Sequence, residues 1–182
     1  MPTHNTASRR TLKSVDTVGA LRHAATAESL TALSPKSALL PWLHLTTSLT
    51  AHLAAEFDTY PGLILLGEGL ESGQRWELAA LNTAGVVFAR HIALTVNDTP
   101  VVLARTVTPP GPGMNALTEL QTRPLAELLF EDPQWQRDTA VQYLCLEDGA
   151  PGRGCHWYNN RLEAGLLVQE FFLPELNALL SR

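Results

Sequence analysis

The chain has 182 residues, 45% of them hydrophobic and 17% charged, with a formal net charge of −5. That length and composition suit one globular domain with a real core and exclude a disordered chain, and no apolar run approaches the roughly 20 residues that span a membrane. Residues 1–36 hold five Lys/Arg against two acids, while the remainder holds eight Arg, no Lys and 16 acids; so acidic a domain is a poor partner for a phosphate backbone, and no nucleic-acid binding is expected.

The opening stretch, to about residue 16, is polar and basic and is expected to be loose. Leu21, Ala24, Ala25, Leu30 and Leu33 then recur at helical spacing, predicting a helix within 18–33. Residues 1–36 thus read as a partly flexible basic extension ending in a helix, whose Arg- and Ser/Thr-rich make-up is also that of a mitochondrial transit segment. The domain proper is expected over 37–182. A helix is predicted over 47–57 with Thr46 or Thr47 as N-cap. Strands follow near 63–70, 84–96, 101–107, 139–147, 154–159 and 164–172, with short helices at 114–121, 124–130 and 174–181. Residues 97–100 leave no room for a crossover helix, so the strands predict an α+β fold built on an antiparallel sheet. Cys145 and Cys155 flank a turn-rich run; two cysteines make no disulfide framework and match no zinc spacing, and reduced thiols are expected. His44, His52, His91 and His156 show no metal-ligand spacing either.

Two strands carry a single charge in an otherwise apolar row. Side chains alternate between faces along a strand, and the even positions from Ala84 to Val96 hold only Arg90. The odd positions from Val101 to Val107 hold only Arg105. With 97–100 as the hairpin loop, Ile92 faces Arg105, which sets Arg90 and Arg105 diagonally on one face, within reach of one small molecule. Neighbouring buried arginines need anions, because an unpaired buried charge is strongly destabilising. Acidic side chains or a ligand with two carboxylates meet that need. Glu170 poses the complementary problem, on a strand that is apolar on both faces. A carboxyl there suits acid–base work or hydrogen bonding to a substrate hydroxyl. A buried Glu170–Arg90 ion pair of purely structural role fits the same pattern, as does an Arg105 that points to surface carboxylates.

Several segments, in order and at matching spacing, resemble the chorismate pyruvate-lyase family. They are Pro41-Trp42-Leu43 with Ser48-Leu49-Thr50; Ala89-Arg90-His91-Ile92-Ala93-Leu94 with Ala104-Arg105-Thr106-Val107 and Pro109; Leu120-Gln121, Pro124-Leu125, Leu129-Phe130 and Arg137-Asp138; and the run from Leu166 to Pro174 around Glu170. The resemblance covers about residues 40–176. It implies a six-stranded antiparallel sheet with flanking helices around a buried ligand cavity, and conversion of chorismate to 4-hydroxybenzoate and pyruvate, the first step of ubiquinone biosynthesis. It implies no metal or redox cofactor, a cytoplasmic location and a monomer. Arg90 and Glu170 fall on the catalytic positions, and substrate contacts fall on Arg90, Glu170, Arg105 and the backbone amides of Leu49 and Leu125. His91 stands where a Glu is familiar, and Ala104 and Ala126 replace glycines. The competing reading is a non-catalytic aromatic-acid sensor of the same fold.

Overall fold

The computed structural model describes residues 17–26, 37–138 and 141–182. Within them the chain runs α1 (Thr17–Arg22), β1 (Ala25–Thr26), α2 (Leu40–Leu43), α3 (Leu49–Phe57), β2 (Gly62–Ser72), α4 (Arg75–Ala80), β3 (Val86–Val96) and β4 (Thr99–Thr108). It continues with α5 (Pro112–Leu120), α6 (Leu125–Glu131), β5 (Trp135–Arg137), β6 (Gln142–Cys145), β7 (Pro151–Asn159), β8 (Ala164–Phe172) and α7 (Pro174–Leu180). One antiparallel sheet has the order β1-β6-β7-β8-β4-β3-β2, with β5 also beside β7. This is the α+β architecture that the strand pattern predicts. Eight strands stand among the described residues in place of six; the additional β1 and β5 are two and three residues long, too short for an alternating pattern to reveal them.

Helix starts follow local chemistry. Ser48, not Thr46 or Thr47, caps α3: its Oγ accepts from the Ala51 N–H at 3.2 Å. Prolines stand in the first turns of α5 and α7, where a missing N–H costs nothing. The first helix is shorter than its periodicity predicts. It ends at Arg22, and Ala25 and Thr26 pair as β1 with Cys145 and Leu144. Leu21 and Ala24 are buried with Ala93, Leu103 and Phe171, so residues 17–26 share the core of the domain. The rest of the expected helix, the expected boundary at residue 36 and the opening segment to residue 16 lie outside the described residues.

The β3–β4 hairpin corrects the expected register. Its loop is only Asn97 and Asp98, both at positive φ (48° and 63°), as a type I′ turn requires and as Asn and Asp tolerate best after glycine. Val96 pairs with Thr99 and Thr95 with Pro100, yet Leu94 pairs with Val102. Val101 is therefore the extra residue of a β-bulge. Pro100 has no N–H to give the ladder, which favours an irregularity here, and the Val101 carbonyl instead accepts from the Leu173 N–H at 3.0 Å. Beyond the bulge Arg90 faces Thr106 and His91 faces Arg105. Arg90 and Arg105 thus lie on opposite faces of the sheet, not diagonally on one.

Cross-strand partners share a face, so the register sorts the sheet. The front carries Arg90, Ile92, Ala104, Thr106, Val168, Glu170, Arg153 and Cys155. Two apolar clusters cover it. One sets Trp42, Leu43, Leu49, Leu53 and Leu176 against Leu94, Val102 and Phe172; the other sets Leu117, Leu120 and Leu129 against Phe88, Leu166 and Val168. The back carries His91, Arg105 and Gln169 beneath α1 and α4. Cys145 faces Pro151, roughly 13 Å of strand away from Cys155, and both thiols are free. Among the described residues no helix is long and apolar enough to cross a membrane.

Candidate active site

Where the two front clusters meet, the sheet turns polar. A cavity of about 50 Å3 lies at this seam, walled by Leu49 and Thr50, by Ile92, Ala104 and Glu170 of the sheet, and by Leu125, Ala126 and Leu129. Leu49 and Leu125 are the first residues of α3 and α6, where backbone N–H groups have no acceptor inside their own helix. Leu49, Leu125 and Glu170, three of the expected site residues, therefore meet at one cavity. Ala104 and Ala126, the two departures from glycine, both line it.

Arg90 shares this face, but its guanidinium turns toward the connection between α5 and α6. Nη1 donates to Glu68 Oε2 and to the Leu117 carbonyl, both at 3.3 Å. Nη2 donates to the carbonyls of Gln121 at 2.6 Å and Arg123 at 3.3 Å. Glu68 stands opposite Arg90 across the β2–β3 pair, and it is the acid that the lone arginine demanded. Gln121 holds φ at 51°, a conformation that costs a non-glycine residue about 1–3 kcal/mol; it aims this carbonyl at the guanidinium. Burial lowers the Arg90 pKa and Glu68 works against that fall, yet a guanidinium stays charged at any working pH. A fork held mainly by neutral carbonyls can exchange them for a carboxylate, which is the stronger acceptor.

Glu170 pairs with a different arginine. Arg153 Nε donates to Glu170 Oε2 at 2.7 Å, so the Arg90–Glu170 pair considered from the sequence is not formed. In the sequence Arg153 falls between the turn-rich run that ends at Gly152 and the strand expected from 154, so no pattern singles it out. The glycines beside it serve close strand packing. A Cβ at Gly152 would meet Phe171 Cδ1 at 2.4 Å and the Glu170 carbonyl at 2.7 Å.

Arg105 is fully buried on the back face of the sheet, opposite the face that carries Arg90 and Glu170. Its Nε and Nη2 donate to Glu77 Oε1 and Oε2 at 2.7 and 3.0 Å, while Nη1 meets Glu71 and, at 2.7 Å, His91 Nε2. Glu77 also accepts from Gln169 Nε2 at 2.6 Å and from the Gln74 N–H at 2.9 Å. Burial works against the Arg105 charge, but Glu77 and Glu71 outweigh it and raise its pKa. Burial raises the Glu71 carboxyl, and Arg105 and Arg22 reverse this to a net fall. His91 is pushed down to about 4, first by burial and then by Arg105. Glu71 of β2 thus gives Arg105 a second anion beside Glu77.

His91 has a consequence for pH. An unfolded chain protonates this imidazole below about 6.5, whereas the folded protein resists until about 4. The unfolded state then binds the extra proton, so stability falls as pH drops through that window. The loss from this group should reach about 2–3 kcal/mol by pH 4.5. Urea titrations at pH 7 and 4.5 check it: His91→Gln should lose that much less than the wild type on acidification, and an equal loss would assign the acid sensitivity elsewhere.

Among the described residues no group of three or more His, Cys, Asp or Glu side chains is placed to hold a metal ion. The chorismate lyase family matches residues 21–179. A "Probable chorismate pyruvate-lyase" of Pseudomonas savastanoi pv. phaseolicola is 34% identical over 157 residues, 78% of this chain and 83% of its own. Proteins of the same name are 36% identical in Shewanella amazonensis, over 77% of this chain and 81% of theirs, and 32% identical in Marinobacter nauticus, over 74% and 76%. The solved C-terminal domain of a histidine utilization repressor from Pseudomonas syringae pv. tomato is 16% identical, with a TM-score of 0.47 over 63% of this chain and 92% of that one. Fold and site define an antiparallel α+β domain with a small cavity on one sheet face. The chain belongs to the chorismate lyase family.

Proposed function

We propose that the protein is a chorismate pyruvate-lyase, releasing pyruvate from chorismate to leave 4-hydroxybenzoate. The observation that carries this reading is the seam: Glu170 and the starts of α3 and α6 face one largely apolar cavity, with Arg90 on the same sheet face. Chorismate is a cyclohexadiene with a ring carboxylate, a hydroxyl and an enolpyruvyl ether bearing a second carboxylate. Arg90 takes the ring carboxylate in exchange for the carbonyls of Gln121 and Arg123. Glu170 and the Leu125 amide hold the ring hydroxyl, and the Leu49 amide helps at the carboxylate end. The substrate is larger than the cavity, so the connection that Arg90 releases must shift to admit it.

The reaction asks mainly for orientation in a dry site. The ring C–O bond to the enolpyruvyl group breaks as the hydrogen on the hydroxyl-bearing carbon passes to the enolpyruvyl methylene. Pyruvate leaves and the ring becomes aromatic, which supplies the driving force without metal or redox cofactor. The same reading sets the protein at the start of ubiquinone biosynthesis, as a cytoplasmic monomer without a nucleic-acid partner.

Mixing the purified protein with chorismate and following the ultraviolet absorbance of 4-hydroxybenzoate tests this. Product is expected, and Glu170→Gln should keep turnover within about tenfold of the wild type. A fall of about 100-fold or more, the size of an acid–base contribution, would assign proton transfer to Glu170. Saturable binding of an aromatic acid with no product would turn the reading to a sensor domain.

A further inference from the structure

We infer that Arg153 is the positioning residue of this site: it fixes which oxygen of Glu170 faces the ligand and ties that carboxylate to the segment leading into α3. The inference rests on the lyase reading above and gives a role to a residue that the sequence resemblance leaves without one. Arg153 is 3% exposed and sits directly opposite Glu170 in the β7–β8 pair. Its Nε holds Glu170 Oε2 at 2.7 Å. Its Nη1 donates to the carbonyl of Trp42 at 3.1 Å and to that of Leu45, and its guanidinium lies 6.0 Å from the Phe172 ring centroid.

Each contact limits the others. A guanidinium this buried needs an anion, and Glu170 is the carboxylate it reaches. The two carbonyls fix the plane of the fork, so the Nε–H that meets Glu170 points one way only. With Oε2 taken, Oε1 is the oxygen left to accept a hydrogen bond from the ligand hydroxyl. Glu170 is thereby set as a fixed acceptor, at a distance from α3 determined by one rigid group. A lysine, with a single point of charge, cannot span the carboxylate and both carbonyls. The start of α3 has further support of its own, from the Ser48 cap and from buried Leu49 and Leu53. Arg153 therefore acts chiefly on the hydroxyl end of the ligand, and Arg90 on the carboxylate end.

That division yields a readout which a merely structural role would not move. Wild-type protein should bind 4-hydroxybenzoate more tightly than benzoate by on the order of tenfold or more, the size of one hydrogen bond to a charged acceptor. Arg153→Ala should reduce this preference to about twofold or less while changing benzoate affinity by no more than about threefold. Glu170→Ala should remove the same preference, and the double variant should lose no more than either single one. If circular dichroism finds Arg153→Ala unfolded, Arg153→Lys takes its place, with part of the preference expected to go. Equal weakening of both acids, or an untouched preference in a folded variant, overturns the assignment. A wild type that binds neither acid also overturns the assignment, while the chorismate assay decides the lyase reading separately.

Discussion

Glu77→Ala should destabilise the protein by about 3–5 kcal/mol, out of the roughly 5–15 kcal/mol that holds a domain of this kind together. The carboxylate is fully buried and receives donors from three residues, Arg105, Gln169 and Gln74. Truncation leaves the Arg105 guanidinium with Glu71 and His91 alone, and it strands the Gln169 amide, whose Oε1 already has no partner. Urea denaturation measures this as a fall in midpoint with little change in slope. Glu77→Leu combined with Arg105→Met should recover most of the loss, because removing both charges removes the desolvation that neither could bear alone. A single-variant cost below about 1 kcal/mol would mean that Glu71 suffices as counter-ion.

Arg90→Ala should abolish function, not stability. On the lyase reading it removes the charged donor for the ring carboxylate, and truncating one side of a buried charge pair costs about 2–5 kcal/mol in binding. Affinity for benzoate and for 4-hydroxybenzoate should therefore fall together by on the order of 100-fold, and turnover of chorismate with them. The fold should survive, because Glu68 is partly exposed and water can take its lost partner. Arg90→Lys keeps the charge but cannot reach Glu68 and three carbonyls in one plane, so it should recover little. Near-normal binding in Arg90→Ala would place the carboxylate subsite elsewhere on the front face.

Much of this architecture was legible from alternation alone. β3, β4 and β8 are long enough for a period of two to show, and Arg90, Arg105 and Glu170 stood out because each is a charge in an apolar row. Burial could thus be read off. Partnership could not, because it depends on register, and the Val101 bulge is a backbone event that Pro100 only hints at. The same limit hid Glu68 and Glu71, which belong to the edge strand β2, where acids are ordinary. Glu77 sits in the first turn of a six-residue helix, the commonest surface position for an acid. Arg153 lies between two glycines, and only the approach of β7 to β8 reveals that they mark a strand and not a turn.

The bulge at Val101 also acts as a phase selector. Without it the two-residue turn would run the hairpin in strict step, and Arg90 would stand beside Arg105. One extra residue inverts every side chain of β4 beyond it, sending Ala104 and Thr106 to the cavity side and Arg105 to the far side. Loss or gain of a single residue here would exchange those two sets wholesale, placing a second guanidinium at the cavity and leaving Glu77 without its cation. Point substitutions can only retouch such a site, whereas a change of length in this short stretch would rewrite its charge.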